Sequence, residues 1–259
     1  MRRLHLFEWE DQFWFPATLR DLMTDYLRFV VALFKMSAPV VPLLDRLLTE
    51  TGSTRIVDLA SGGGGPWGTL APALRESHPD LRVTLTDRYP NLSALRVAAA
   101  SAPEVIEIRT EPVDALDVPD DLDGVRTQFL SLHHFRPDQV RAIFANAVAA
   151  GRPIAVFEFQ QRDLAHLIRF ALSPVFVLLL SWAIRPFSLR RILFTYLIPV
   201  VPLLIMWDGV VSVLRTYTPD ELERIVASVP GAAGYDWDVG AATEGQASVV
   251  RAIGRPRMV

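Results

Sequence analysis

The stretch Ile56-Val57-Asp58-Leu59-Ala60-Ser61-Gly62-Gly63-Gly64-Gly65-Pro66-Trp67-Gly68 carries the clearest chemistry in the chain. Ile56 and Val57 end a short apolar run of strand type. Four glycines follow, then a segment that can become helical. A strand, a glycine turn and a helix start make a ligand cradle. Glycine lets backbone N–H groups approach closely and takes positive φ. The first helical turn adds unpaired N–H donors and partial positive charge. The register Gly63-x-Gly65-x-x-Gly68 matches the dinucleotide fingerprint, with Asp87 about 20 residues on. A second register is Asp58-x-Ala60-x-Gly62-x-Gly64, whose carboxylate ends the strand. A carboxylate there would repel a pyrophosphate and suits a cationic ligand. His133, His134 and Glu158 fall near the ends of later strands and are the candidates for proton transfer.

The chain has five histidines and no cysteine. Disulfides, thiolate metal sites and cysteine nucleophiles are therefore excluded. Adjacent histidines diverge on a strand, HExxH-type spacing is absent, and no metal site is expected. At 259 residues the chain suits one large domain, or one with a sizeable insertion. A net charge of −3 leaves no basic footprint, so no nucleic-acid partner is expected. The opening Met1-Arg2-Arg3 turns acidic at Glu8, too soon for a secretory signal, and a cytoplasmic location is expected.

The positioning elements read as follows. Residues 7–15 mix five aromatics with three carboxylates. Apolar residues from Leu19 to Phe34 recur at helical spacing; that helix packs on a sheet edge or closes over a substrate as a lid. A second helix is expected at about 39–48, ending at Gly52. Strands are expected at 81–86, 105–108, 125–132 and 153–159. The first crossover helix should start near Thr69, because Pro72 is tolerated only in a first turn. Asn91 caps the next helix. Thr218, Pro219 and Glu221 form a capping box. Two closing strands, 235–239 and 247–253, have a connection short enough for antiparallel pairing.

Residues 164–216 stand apart. Two uncharged runs, 170–184 and 192–207, flank Arg185, Arg190 and Arg191. Each run is shorter than the roughly 20 residues of a spanning helix, and Pro174, Pro199 and Pro202 interrupt them. Three arrangements stay open: a transmembrane hairpin, a buried helical cap, or a hairpin dipping into one leaflet. With the aromatic N-terminal segment this insertion is expected to form an apolar acceptor pocket, in which the arginines hold a carboxylate or phosphate.

The order of elements, Asp58 to Gly64, Asp87, Leu132-His133-His134-Phe135 and Tyr217-Thr218-Pro219-Asp220-Glu221-Leu222 together resemble class I S-adenosylmethionine (SAM) methyltransferases. The resemblance covers about residues 54–163 and 215–254. The whole chain also resembles a group of bacterial methyltransferase-like proteins. It implies an α/β fold: a seven-stranded, mostly parallel Rossmann-like sheet with an antiparallel last strand, N-terminal helices and a hydrophobic helical insertion. It implies a lid at 1–52, a SAM-binding core at 53–163, the insertion at 164–214 and completion of the core at 215–259. SAM would be held by Asp58, Ala60, Ser61, Gly62, Gly64, Asp87, Arg88, Asp114, Ala115 and Ser131, with Asp87 at the ribose hydroxyls and Asp114 at the adenine amino group. The implied activity is methyl transfer to a hydrophobic small-molecule or lipid-like acceptor. His133, His134 and Glu158 are the catalytic candidates, and peripheral contact is expected with the inner face of the membrane. A non-catalytic SAM- or nucleotide-binding protein and an NAD(P)-dependent oxidoreductase remain the alternatives. The acidic-Pro-Pro-aromatic motif is absent after the fourth strand, which argues against amide and exocyclic-amine DNA methyltransferases.

Overall fold

The computed structural model describes residues 1–244 and 247–257. In chain order the helices and strands are α1 (Ala17–Leu33), α2 (Val41–Thr51), β1 (Arg55–Asp58), α3 (Trp67–Arg75), β2 (Arg82–Leu85), α4 (Leu92–Ala99), β3 (Ile106–Ile108) and β4 (Val125–Phe129). Then come α5 (Pro137–Ala149), β5 (Ile154–Glu158), α6 (Leu164–Ala171), α7 (Ser173–Leu180), α8 (Leu189–Ile192), α9 (Val200–Arg215), α10 (Pro219–Ala227), β6 (Tyr235–Glu244) and β7 (Ala247–Pro256). The seven strands form one sheet in the order β3-β2-β1-β4-β5-β7-β6. The first five run parallel; β7 lies antiparallel between β5 and β6. The expected sheet is therefore present, and its closing hairpin is longer than the sequence pattern predicts.

Alternation along β1 builds both layers. Ile56 joins a core with Leu44 and Leu47 of α2, Leu70 of α3 and Leu95 of α4. Val57 faces the other way, onto Val140 and Phe144 of α5 and Leu222 of α10. With both faces covered, β5 is buried along its whole length, which is why it reads as a continuous apolar run. Register places Asp58 beside Leu85 of β2 and Thr127 of β4, so the carboxyl ends of three central strands converge on the glycine turn.

A third apolar cluster lies apart from the sheet. Leu22, Met23 and Tyr26 of α1 pack with Val177, Ile184, Val201 and Ile205. The N-terminal helix and the helices after β5 thus share one core. No single helix among the described residues is long and apolar enough to cross a membrane; α6 with the segment from Ser173 to Ala183 bends by 46°, and the segment from Leu189 to Leu197 with α9 bends by 78°.

Two local expectations need correction. Helix α3 starts at Trp67, whose N–H bonds Gly64 O, so Pro72 sits in its second turn. The glycine turn itself opens the helix early, so Pro72 falls inside it and leaves Gly68 O without the usual N–H donor. Strand β4 stops at Phe129 because Leu130 has φ 50°, and Leu132–His134 form a 3-10 turn. The two histidines are therefore not alternating strand residues.

The capping box is built as read: Glu221 Oε2 accepts from Thr218 N–H at 3.0 Å, and Thr218 Oγ1 accepts from Glu221 N–H at 3.4 Å. Replacing Thr218 by Ala should cost about 1 kcal/mol. The urea midpoint should fall with an unchanged slope, and Thr218→Ser should recover most of the loss.

Candidate active site

Asp58 is buried, with both carboxylate oxygens engaged. Its Oδ1 accepts from Thr127 Oγ1 at 2.7 Å and its Oδ2 from Ser61 Oγ at 2.6 Å. Burial raises its pKa to about 6, with the Ser61 and Thr127 hydrogen bonds working in the opposite direction. Asp58 therefore shapes the turn, its two oxygens held by the Ser61 and Thr127 hydroxyls. Above it the chain turns sharply. Ala60, Gly62, Gly64 and Gly65 all have positive φ. Ala60 at 51° bears a strain of roughly 1–2 kcal/mol that glycine would avoid.

The turn leads to Asp87. Its Oδ2 accepts from Gly62 N–H and its Oδ1 from Tyr89 N–H, each at 2.8 Å. A carboxylate offers about four acceptor sites, so each oxygen keeps capacity for a ligand hydroxyl. Asp87 O accepts from Val113 N–H at 2.9 Å, and Arg88 lies 3.4 Å from Asp114. Thus Gly62, Asp87, Arg88 and Asp114 form one rim, with Ala115 buried behind it. Ser131 Oγ is buried and has no hydrogen-bond partner among the described residues. A side chain at Gly63 would run into Thr24 of α1, and one at Gly64 into Ala98 of α4. Helix α1 therefore lies against the glycine turn, and Asn91 Nδ2 donates to Asp21 at 3.1 Å to hold it there.

Beside this rim stands a buried polar cluster. Glu158, at the carboxyl end of β5, accepts from His133 N–H at 3.0 Å and lies 2.9 Å from His133 Nδ1. Gln160 Nε2 donates to Glu158 at 3.3 Å. This leaves His133 Nε2 as the ring's open nitrogen, 3.9 Å from Glu8. The His134 ring lies against that of His133, with centroids 4.2 Å apart. His134 Nδ1 reaches Asp11 at 2.7 Å and Glu8 at 3.4 Å. Burial opposes its charge, but the Glu8 and Asp11 carboxylates prevail and raise its pKa to about 9. Glu8, His133 and His134 bring ligand atoms within 4.8 Å of one another, so the divergence assumed for a strand does not hold. Arg215, 3.4 Å from Glu8 and 2.6 Å from Asp11, already neutralises the carboxylates of that group.

Glu8, Asp11, Asp208 and Arg215 were not read as site residues from sequence. The mixture of carboxylates and aromatics at 7–15 was the available signal. These residues fasten an N-terminal strap: Asp208 accepts from Trp9 and Glu10 N–H at 2.8 and 3.1 Å, and Trp207 Nε1 donates to Phe7 O at 3.1 Å. Arg191 is also reassigned. It is buried against Asp25 of α1 at 2.9 Å and donates to Ile184 and Pro186 carbonyls, so it braces α1 and is not free for a substrate. Arg185 and Arg190 are exposed.

The cluster has a pH signature. Burial, with Asp208 nearby, raises Glu10 to about 8; burial raises Asp208 to about 6. A group whose folded pKa is raised contributes stability that is full below its unfolded pKa and lost as pH climbs to the folded one. For Glu10 that window runs from its ordinary 4.5 to about 8, and for His134 from 6.5 to about 9. The melting temperature should therefore fall between pH 6.5 and 9. Glu10→Gln, which mimics the protonated acid, should match the parent at acid pH and exceed it at pH 9.

No family model and no curated protein matches the sequence. Solved structures do. The chain is similar to an O-methyltransferase family protein from Burkholderia thailandensis at 19% identity, covering 88% of this chain and 58% of that one, with a TM-score of 0.49. It is similar to human N-acetylserotonin methyltransferase in complex with SAM at 16% identity, covering 93% and 56%, with a TM-score of 0.49. The chain thus spans little more than half the length of either. The methyltransferase domain of bacterial CtHen1-CN is 12% identical over 85% of this chain and 99% of that one, with a TM-score of 0.51. That likeness, with the strand order and the antiparallel β7, gives the chain the α/β fold of class I methyltransferases.

Proposed function

We propose that this chain is a SAM-dependent methyltransferase acting on a hydrophobic small-molecule or lipid-like acceptor. The observation that carries the reading is one continuous edge: the glycine turn, the Asp87 rim and the His133–Glu158 pair all stand at the carboxyl ends of β1, β2, β4 and β5, where ligands bind in open α/β sheets. The residues fit SAM. Asp87 has acceptor capacity for ribose hydroxyls, Gly62 leaves open space where a Cβ would stand, and Ser131 Oγ is a buried donor without a partner among the described residues. Asp114 and Ala115 would meet the adenine; Asp58, Ala60, Ser61 and Gly64 shape the turn. When bound, SAM supplies an electrophilic methyl group for in-line transfer. The chain's own work is orientation, and well-placed geometry contributes roughly 7–11 kcal/mol.

His133 Nε2 is the group placed to take a proton from the acceptor, with Glu158 fixing the opposite ring nitrogen. His134, charged and paired with Asp11, is a positioning residue. Residues 53–163 and 215–259 act as the core, 1–52 as the lid and 164–214 as an apolar cap over the acceptor, with the protein peripheral to a membrane's inner face. A SAM-binding accessory role is the second reading. It is favoured by the 3% exposure of His133 and the 2% exposure of Glu8, which seal the proton-accepting nitrogen beneath the strap.

Incubation with labelled SAM and lipid extract should transfer label to an apolar fraction. His133→Ala should lose transfer and keep SAM affinity. Asp87→Ala should weaken SAM binding by about 1.5–3 kcal/mol in calorimetry, the worth of charge-assisted hydrogen bonds. SAM binding without transfer to any fraction supports the accessory reading, and unchanged affinity in Asp87→Ala removes the ribose assignment.

A further inference from the structure

The helices after β5 leave a large apolar face uncovered. Leu179, Trp182, Phe187, Leu189, Leu197 and Leu203 are all more than half exposed. Tyr196 Oη donates to Leu178 O at 2.8 Å, which lays the segment after α8 beside α7. The strap extends the surface: Phe7 packs against Trp207 at 5.4 Å with the rings tilted by 38°, Phe13 is 96% exposed and Trp14 57%. Large apolar side chains exposed in this number mark a candidate interaction surface.

Charge decides what covers it. From Leu164 to Trp207 the sequence holds no Asp or Glu. Arg191 is tied internally to Asp25, while Arg169, Arg185 and Arg190 are exposed. A two-fold partner would set this face against itself, and its arginines would meet arginines, the strap carboxylate Asp11 being already held by His134 and Arg215. Anionic headgroups over an acyl layer complement both features. Arginine stems lie along apolar surface with the guanidinium at the headgroups, and tryptophan favours that same boundary. The pairs are bent by 46° and 78°, and no single helix among the described residues is long and apolar enough to cross.

We infer that this face, made by α7, α8, the turn at Leu193–Leu197, α9 and the strap aromatics, docks into one leaflet of an anionic bilayer without spanning it. A bilayer there feeds the acceptor side of the proposed methyltransferase; this purpose rests on that reading, whereas the docking needs no catalytic step. The strap that seals His133 from solvent also carries Phe7, Phe13 and Trp14 on this surface, so docking and access to the site share one segment.

The test uses the full chain with vesicles of phosphatidylcholine alone and of phosphatidylcholine mixed equally with phosphatidylglycerol. The chain should sediment with the anionic vesicles, and high salt should release it only in part, because apolar burial survives screening. The double variant Leu189→Glu, Leu197→Glu should lose vesicle affinity by about tenfold or more, with SAM affinity unchanged by calorimetry. Arg185→Glu with Arg190→Glu should abolish the preference for anionic vesicles. Brominated acyl chains should quench tryptophan emission of the unmodified chain, a readout that depends on no variant. Absence of both sedimentation and quenching overturns the inference. So does a stable dimer by light scattering that the double leucine variant splits. Loss of SAM binding in the unmodified chain would remove the proposed function and leave the docking result standing.

Discussion

A carboxylate buried between two hydroxyls holds the candidate site in shape. Asp58 ends β1 where the sheet gives way to the glycine turn, and its oxygens draw in Ser61 from the turn and Thr127 from β4. Thr86 of the β2 end joins the same knot, donating its hydroxyl to Asp58 O at 2.8 Å. A carboxylate placed there without partners would be expelled or protonated; with them it fixes the first bend of the turn. Ser61 N–H is then held by Thr86 O, Ala60 is kept at positive φ, and Gly62 N–H is aimed at Asp87. The ligand rim is the far side of this arrangement. Asp58 works as a strut for the turn that follows it.

A second buried network stands at the ends of β4 and β5. Here the partners come from distant parts of the chain. The strap brings Glu8 and Asp11, the 3-10 turn brings His133 and His134, β5 brings Glu158, and α9 brings Asp208 and Arg215. Such a network is costly when half satisfied, which ties the strap to α9 as a unit. Arg191 with Asp25 joins α1 to the segment ending in α8 in the same way. The N-terminal segment and the helices after β5 consequently share both an apolar core and ion pairs.

Much of the sheet was legible because its signals are local. The buried strands read as apolar runs, Asn91 and Thr218 announced their helices, and the short final connection required antiparallel pairing. The glycine turn was legible as a strand-to-helix turn, and in the fold Gly62 meets Asp87 while Arg88 meets Asp114. What escaped depends on contacts far apart in sequence. Nothing within residues 7–15 says that Glu8 will stand near His133, and nothing near Arg191 names Asp25. Leu130 in a left-handed conformation overrides its strand propensity and swings both histidines off β4, so they do not alternate as strand residues would. Pro72 escaped because the glycine turn lets α3 begin earlier than its apolar residues suggest.

The central claim is that the Asp58-braced turn and the Asp87 rim hold SAM. Calorimetry of the purified chain against SAM, S-adenosylhomocysteine, NADH and NADPH tests it most directly. Saturable, one-site binding of SAM and S-adenosylhomocysteine, with none for either dinucleotide, is the result the account predicts. Tight binding of a dinucleotide with none for SAM would contradict it and return the glycine turn to the Gly63-x-Gly65-x-x-Gly68 register.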